Sequence, residues 1–328
     1  MRKSVTAIAV SAFAALFATG LARAQEAYPS RPITMVVAFP PGGVADLTAR
    51  PIAVPLERIL RQKIVIENRT GAGGGIGNAY VARAKPDGYT LLMALSSISI
   101  LPEADKVNGR TPSYTLDQFV PIALVSSDPT VLVVRSESEI KSVKDLVAFA
   151  KSNPGKLNYS SSGLYSALHT PMEMLAIATD IRMFHVPYQG GGPAVAALLG
   201  GQVEALASGP GPVVPHIKAG KLRPLATWGS RRHPSLPEVP TLKELGIDNE
   251  FYIWAGLFAP AATPEPIVRR LREAVREAVQ DAQFRAAMEG AGQPIDYRDA
   301  PDFRAFWEAD ARKMAEIVKR IGRVEEKK

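Results

Sequence analysis

Residues 33–47 read ITMVVAFPPGGVADL: an apolar run, a Pro-Pro-Gly-Gly turn and the start of a second apolar pattern. The run from Ile33 to Phe39 is rich in β-branched and aromatic residues, which predicts a buried strand. After the turn, apolar side chains recur at helical spacing from Leu47 to Leu60. The stretch therefore predicts a strand that passes through a glycine turn into a helix, the unit from which α/β proteins are built.

The same alternation continues along the chain and predicts an α/β fold with largely parallel sheets. Two C-terminal helices, one beginning at Pro264 and one over residues 303–321, carry apolar stripes that predict docking on a core. No period of 20–50 residues repeats, which excludes a solenoid. The other predicted elements are strands at residues 63–66, 89–94, 131–134, 157–159, 184–186, 203–207 and 224–228, and helices at residues 76–84, 142–152, 165–178 and 193–199.

The N-terminus predicts a cleavable secretory signal over residues 1–24. Arg2 and Lys3 precede an apolar run, and Ala22-Arg-Ala24 then places small side chains around a cleavage point. The alternative is a retained membrane anchor, but the run is shorter than the ~20 apolar residues that span a bilayer. The chain has no cysteine, which excludes a lipid-anchored N-terminus. We therefore expect residues 25–328 to be free in the bacterial periplasm.

The composition excludes several classes of protein. The net charge is +7, and the basic residues are interleaved with acidic ones instead of forming the stripe of a nucleic-acid binder. The four histidines stand in no metal-ligand spacing, so no metal site is predicted. Residues 71–77 read GAGGGIG, in which no register gives G-x-G-x-x-G and no G-K-[ST] follows. This cluster is interpreted as a structural turn, and no cofactor is predicted.

Three loops lie between a predicted strand and a predicted helix, at residues 39–46, 159–169 and 186–193. Free N–H groups at a helix start, with the helix dipole behind them, attract an anionic group. Ligands of open α/β sheets bind beyond the carboxyl ends of the strands, so the three loops predict one shared pocket. The alternative for the first loop is a tight turn in which Asp46 complements the helix dipole.

Catalytic patterns are absent from the sequence. No serine stands in a G-x-S-x-G elbow, and His169, one helical turn from Tyr165 and Glu173, is interpreted as a packed histidine. The alternative function is a secreted α/β hydrolase that uses a serine of 160–162 with His169 or His185. A binding protein, in contrast, needs only preorganised donors and a hinge.

Six ordered blocks resemble the Bug/TctC family, the extracytoplasmic solute receptors of tripartite tricarboxylate transporters. The resemblance implies a two-lobed periplasmic-binding-protein (Venus flytrap) fold, with residues 25–124 plus 245–328 in lobe I, residues 125–244 in lobe II and a hinge between them. It also implies a monomeric receptor, not an enzyme, that binds a small organic carboxylate in the cleft and delivers it to the membrane subunits of the transporter. The blocks are residues 36–50, 68–77, 85–92, 186–194, 198–204 and 237–246.

The resemblance also implies a set of ligand-binding residues. Three departures from the family pattern concern the ligand: Tyr165 replaces a common glycine, Ser208 stands where amino-acid-binding relatives carry Asp, and Trp228 replaces a small hydroxyl residue. They predict a carboxylate that needs no ammonium group and is aromatic or otherwise sizeable. The implied ligand-binding residues are Phe39, Pro41, Gly42, Gly43, Asp46, Ser96, Ser97, Ser162, Gly163, Tyr165, Ser166, His169, Tyr188, Gly190, Gly191 and Ser208.

Overall fold

The computed structural model describes residues 28–324. The predicted signal peptide, residues 1–24, lies outside the described residues, as does the end of the chain from residue 325. Within the described range, no helix combines the length and the apolar character needed to cross a bilayer.

Strands and helices alternate along the described chain. The first half contains β1 (Ile33–Val37), α1 (Val44–Leu60), β2 (Ile64–Asn68), α2 (Gly75–Ala82), β3 (Thr90–Leu95), α3 (Ser97–Val107), β4 (Phe119–Pro129), β5 (Val131–Arg135) and α4 (Val143–Ser152). The second half contains β6 (Asn158–Ser161), α5 (His169–Thr179), β7 (Phe184–Pro187), α6 (Gly191–Leu199), β8 (Ala205–Ser208), α7 (Pro210–Lys218), β9 (Leu222–Thr227), β10 (Tyr252–Pro260), α8 (Glu265–Ala278), α9 (Ala282–Gly290), β11 (Ile295–Asp299) and α10 (Ala300–Ile321).

Two sheets share these strands, in the orders β11-β4-β10-β3-β1-β2 and β7-β6-β8-β5-β9. We call the six-stranded sheet with its helices the first lobe and the five-stranded sheet with its helices the second lobe. The predicted α/β fold is confirmed, but the prediction of largely parallel sheets is wrong. β1 and β6 pair in parallel with their neighbours, whereas β10, β11 and β5 pair antiparallel with theirs. The reason is that β10 and β11, which were not predicted, run in reverse through the first sheet, and that β5 runs in reverse through the second.

The C-terminal helix α10 docks on β10 through aromatic side chains. The ring centroids of Phe258 and Trp307 lie 4.8 Å apart, and those of Trp254 and Phe303 lie 5.7 Å apart. A Cβ on Gly256 would lie 2.3 Å from Phe303 Cζ, so glycine makes room for that ring. The predicted docking of an apolar stripe on the core is confirmed, because Phe303 and Trp307 are buried.

The chain passes between the lobes in two places, at residue 130 and over residues 228–251, and we call these segments the crossover. They bond to each other: Trp228 N donates to Thr130 O at 3.0 Å, and Phe251 N donates to Trp228 O at 3.0 Å. β4 continues in the first sheet as far as Pro129. The lobe boundaries predicted at 124/125 and 244/245 therefore fall inside β4 and inside the second crossover segment, and they stay a prediction.

A buried acid lies beside the crossover. Asp128 and His233 are 0% and 1% exposed, and they line a cavity of about 880 Å³ that contains none of the predicted ligand residues. His233 Nδ1 accepts the N–H of Ser235 at 3.1 Å, so the ring proton is on Nε2, which faces Asp128 Oδ1 at 3.8 Å. That separation is too long for a hydrogen bond. Burial therefore dominates and raises the pKa of Asp128 to about 6.

Asp128 predicts a pH-dependent stability that asparagine removes. Because the native pKa of about 6 exceeds the ordinary value of 3.8, the native state holds the proton more tightly, and the stabilisation that this gives at low pH is lost as pH rises through 6. We expect the free energy of unfolding of Asp128→Asn, relative to wild type, to rise by about 1.4 kcal/mol between pH 5 and pH 8. Urea unfolding at both pH values measures it, with Asp117→Asn as an exposed control. A pH-independent difference would show that the native state does not shift the pKa of this carboxyl.

Candidate functional site

The first loop, residues 38–43, joins β1 to α1 at the carboxyl end of β1. Gly42 has a φ of +82°, a conformation that favours glycine. Gly43 is the N-cap residue of α1 and provides no side-chain cap. Such uncapped N–H groups at a helix start suit an anionic group.

Asp46 holds the first loop in place from within the first lobe. Its carboxylate accepts the N–H of Gly42 at 3.1 Å and the amide of Asn68 at 3.2 Å, and Arg50 Nε lies 2.9 Å away. Asn68 also donates to Phe39 O at 2.8 Å. Asp46 is 3% exposed and both its oxygens have partners, so it shapes the loop, and its contact with a ligand stays a prediction.

The glycine cluster, residues 71–75, stands beside the first loop. Gly71, Gly73 and Gly74 all have positive φ, and the segment includes a short 3-10 helix. A Cβ on Gly74 would lie 2.8 Å from Phe39 Cζ and 3.4 Å from Ser97 Oγ. The cluster therefore lets the Phe39 ring lie close to Ser97, two of the predicted ligand residues.

The second loop, residues 160–166, is shaped by its own hydroxyl groups. Ser161 Oγ accepts the N–H of Gly163 at 3.1 Å and lies 2.6 Å from His185 Nε2. Ser166 Oγ accepts the N–H of His169 at 3.3 Å, at the start of α5. His169 Nδ1 accepts the N–H of Tyr165 at 3.2 Å. Ser166 Oγ and His169 Nδ1 are therefore engaged in hydrogen bonds within this part of the second lobe, and their contacts with a ligand stay predictions.

Two imidazoles lie behind this loop, that of the buried His169 and that of the half-buried His185. The ring centroids of His169 and His185 are 4.4 Å apart, and burial lowers the pKa of His185 to about 4. Burial, and then the neighbouring His185, hold the pKa of His169 well below its ordinary value. Both rings are therefore neutral at pH 7. This agrees with the interpretation of His169 as a packed histidine.

The third loop, residues 187–191, meets the first loop across the lobes. A Cβ on Gly190 would lie 2.3 Å from Pro40 Cδ, and a Cβ on Gly43 would lie 3.7 Å from Gly191 N. The loops approach so closely because Gly43, Gly190 and Gly191 carry no side chain. A larger residue at Gly190 would hold the lobes apart.

The glycine cluster meets the second loop in the same way. A Cβ on Gly163 would lie 3.0 Å from Gly73 N, and one on Gly73 would lie 3.0 Å from Leu164 O. Next to this contact is a cavity of about 630 Å³ between the lobes. Among the described residues that line it, Asp105 is the one acid and Arg110 the one base, and Arg110 Nε donates to Asp105 at 3.0 Å. The cavity wall therefore carries no excess charge.

Three predicted ligand residues present buried hydroxyl groups. Ser96 and Ser97 follow β3 in the first lobe, and Ser208 ends β8 in the second. Within residues 28–324, their Oγ atoms have no hydrogen-bond partner. A buried hydroxyl without a partner is destabilising by about 1–3 kcal/mol. The contact of these hydroxyl groups with a ligand stays a prediction.

The structure brings part of the predicted set to the contact between the lobes. Ser162, Gly163, Tyr165 and Tyr188 line the cavity. Residues of the first and third loops, Pro41 and Gly42 among them, form the contact itself. Sequence reasoning missed the cavity-lining Gly71, Gly73, Gly75, Arg110 and Gln189. Of the cluster at residues 71–77, residues 71–74 form a turn, as interpreted, and residues 75–77 begin α2. The cluster also forms a wall of the cavity, and its position after a strand was the available signal.

The hydrolase alternative has no support. Ser161 does lie 2.6 Å from His185, but it is fully buried and its hydroxyl is used inside the second loop. Glu173, the nearby acid, is bonded to Tyr159 at 2.5 Å. Among the residues that the structure describes, no three His, Asp or Glu side chains are grouped to hold a metal ion.

Comparison with known proteins identifies the family. The sequence model described as "Tripartite tricarboxylate transporter family receptor" matches residues 48–323. The chain belongs to this family. The Bug/TctC resemblance is therefore confirmed, and the family is one of receptors.

Solved structures of similar proteins confirm the fold of this TctC-family receptor. The periplasmic binding protein BugD superposes with a TM-score of 0.84 at 32% identity, over 90% of this chain and 98% of BugD. MatC from Rhodopseudomonas palustris, solved with bound malate, superposes with a TM-score of 0.84 at 31% identity, over 89% of this chain and 100% of MatC. The R. palustris protein Rpa4515, solved with adipate, superposes with a TM-score of 0.83 at 30% identity, over 90% of this chain and 98% of Rpa4515.

Proposed function

We propose that this protein is a periplasmic receptor that binds a small organic carboxylate between its lobes and delivers it to the membrane subunits of a tripartite tricarboxylate transporter. The observation that carries the proposal is the set of buried hydroxyl groups on Ser96, Ser97 and Ser208, which come from both lobes and have no partner within residues 28–324. A carboxylate accepts hydrogen bonds on both oxygens, so it can satisfy these donors together with N–H groups of the first loop. The predicted ligand residues form this site.

The expected ligand is an acid without an ammonium group. A free carboxylate would suit an ammonium, but Asp105, the one acid among the described residues lining the cavity, is paired with Arg110. Asp46, the acid of the predicted ligand set, is paired with Arg50. Ser208 provides a hydroxyl where the family resemblance implies Asp in amino-acid binders. Malate in MatC and adipate in Rpa4515 are both acids of this kind.

The same proposal includes the organisation of the chain. Residues 1–24 would be removed on export, leaving a soluble monomer without a lipid anchor. The crossover at residues 130 and 228–251 would act as the hinge, because the two sheets are joined there by two segments that are hydrogen-bonded to each other. The first of these segments lies beyond the predicted boundary at 124/125, and the second contains the predicted boundary at 244/245.

A thermal-shift screen of purified residues 25–328 tests the function. Mono-, di- and tricarboxylates, aromatic acids, amino acids and nucleotides are compared, and stabilisation by one group of unaminated carboxylates is expected. A ligand that binds only the folded state stabilises it by about 2.7 kcal/mol at a hundredfold excess over Kd. Calorimetry then compares the best acid with its neutral amide and with aspartate.

Matched serine variants link the response to the site. Ser97→Ala is expected to reduce the stabilisation by the best acid, whereas Ser152→Ala, exposed at the end of α4, is not. Tighter binding of aspartate or glutamate than of any unaminated acid would contradict the ligand class. A response to nucleotides alone would contradict the function itself.

A further inference from the structure

Tyr165 has an unusual place in the second loop. Its backbone φ is +53°, in the left-handed region that favours glycine, and its side chain is 2% exposed. The residue lines the cavity between the lobes. A large residue in this conformation persists when its surroundings hold it there.

The surroundings that hold Tyr165 belong to the first lobe. Its hydroxyl donates to Gly322 O at 2.7 Å and accepts the N–H of Val324 at 2.9 Å. It also accepts the side-chain amide of Asn108 at 3.1 Å. A phenolic hydroxyl has one donor and two acceptor sites, so every site on this oxygen is used.

We propose that Tyr165 is a positioning residue, which fixes the second loop for ligand binding by tying it to the C-terminal segment of the first lobe. Asn108 follows α3, and residues 322–324 follow α10; both helices belong to the first lobe. Tyr165 comes from the second lobe, so its three hydrogen bonds form only when the lobes are together. Closure thereby recruits the segment 322–324.

The hydrogen bonds of Tyr165 also decide which of its atoms a ligand in the cavity can contact. Because the hydroxyl is saturated, Tyr165 offers the cavity its ring and no free polar atom. That favours a ligand with an apolar part near the second loop. The inference rests on the proposed function for the ligand, but the link between the lobes can be measured without one.

The test measures lobe closure directly. The chain has no cysteine, so Lys151→Cys in the second lobe and Glu277→Cys in the first accept a pair of spin labels. Tyr165→Phe is expected to lower the population with the short distance, both without ligand and with the best carboxylate. Its affinity for that acid should fall roughly five- to tenfold through faster dissociation, as expected for lost hydrogen bonds.

Two further variants separate the parts of the network. Val324→Pro removes one donor without altering the tyrosine, because proline has no N–H, and should reproduce part of the effect. Combined with Tyr165→Phe it should add nothing, because both changes remove the same hydrogen bond. Tyr165→Gly relieves the left-handed backbone and also removes the link, so it keeps the test valid should the phenylalanine variant fold poorly.

The control is the same substitution inside one lobe. The hydroxyl of Tyr114 donates to Ile98 O at 3.0 Å and accepts Asn78 Nδ2 at 3.1 Å, all within the first lobe. Tyr114→Phe should lower stability but leave the lobe distance and the affinity unchanged. The proposal is overturned if Tyr165→Phe keeps the wild-type distance distribution and affinity, or if Tyr114→Phe shifts both equally. If no carboxylate binds any variant, the proposed function fails, and the ligand-free distances still decide the role of Tyr165.

Discussion

Replacing Gly190 by alanine is expected to weaken ligand binding about ten- to hundredfold while leaving each lobe folded. The φ of Gly190 is 170°, an extended conformation that alanine adopts freely. The obstacle is in the other lobe, where Pro40 Cδ would lie 2.3 Å from the new Cβ, against about 3.5–4.0 Å for two carbon atoms in contact. Overpacking of this kind is destabilising by about 1–3 kcal/mol, and here it opposes only closure.

Calorimetry with the best carboxylate measures the loss, and a melting curve without ligand shows whether the lobes stay folded. Gly200→Ala is the matched control, because it lies at the far end of the same helix and its Cβ would meet only Ala196 and Ala197 of that helix. Wild-type affinity in Gly190→Ala would mean that the liganded lobes do not come as close as they do here. The binding site would then be formed in a more open arrangement.

Local chemistry made the first loop predictable. Residues 33–47 contain a strand, a turn with a left-handed glycine and a helix, and all three lie where the pattern of residues 33–60 places them. Such features depend on neighbours within a few residues, which a sequence displays.

Features that depend on tertiary contacts were missed. α7, which reads PGPVVPHIK, was not predicted; Pro210 is at its first helical position, where no N–H is needed. β10 was missed because it does not belong to the alternation of strands and helices along the chain. It lies between β3 and β4, and both of these strands are far from β10 in the sequence. The approach of Gly43 to Gly191 likewise depends on how two lobes meet. No local pattern encodes that geometry.

Gly77→Ala is expected to lower the free energy of unfolding by about 3 kcal/mol, at the upper end for overpacking. Gly77 is in α2, and its Cβ would lie 2.7 Å from Ala38 Cα and 2.8 Å from Arg69 O. Both are backbone atoms, so neither can move aside as a flexible side chain would. Alanine stabilises a helix by about 1 kcal/mol relative to glycine, which is too little to offset the clash.

Urea unfolding of Gly77→Ala tests whether the cluster at residues 71–77 is structural as well as part of the cavity wall. Gly290→Ala is the control, since its Cβ would meet nothing within 4 Å and should stabilise the protein by about 0.5–1 kcal/mol. Ala38 begins the first loop, so displacing α2 should also move that loop and weaken carboxylate binding. Equal stability of Gly77→Ala and wild type would contradict the structural interpretation. The contact with the second loop would then be the remaining reason for glycine in the cluster.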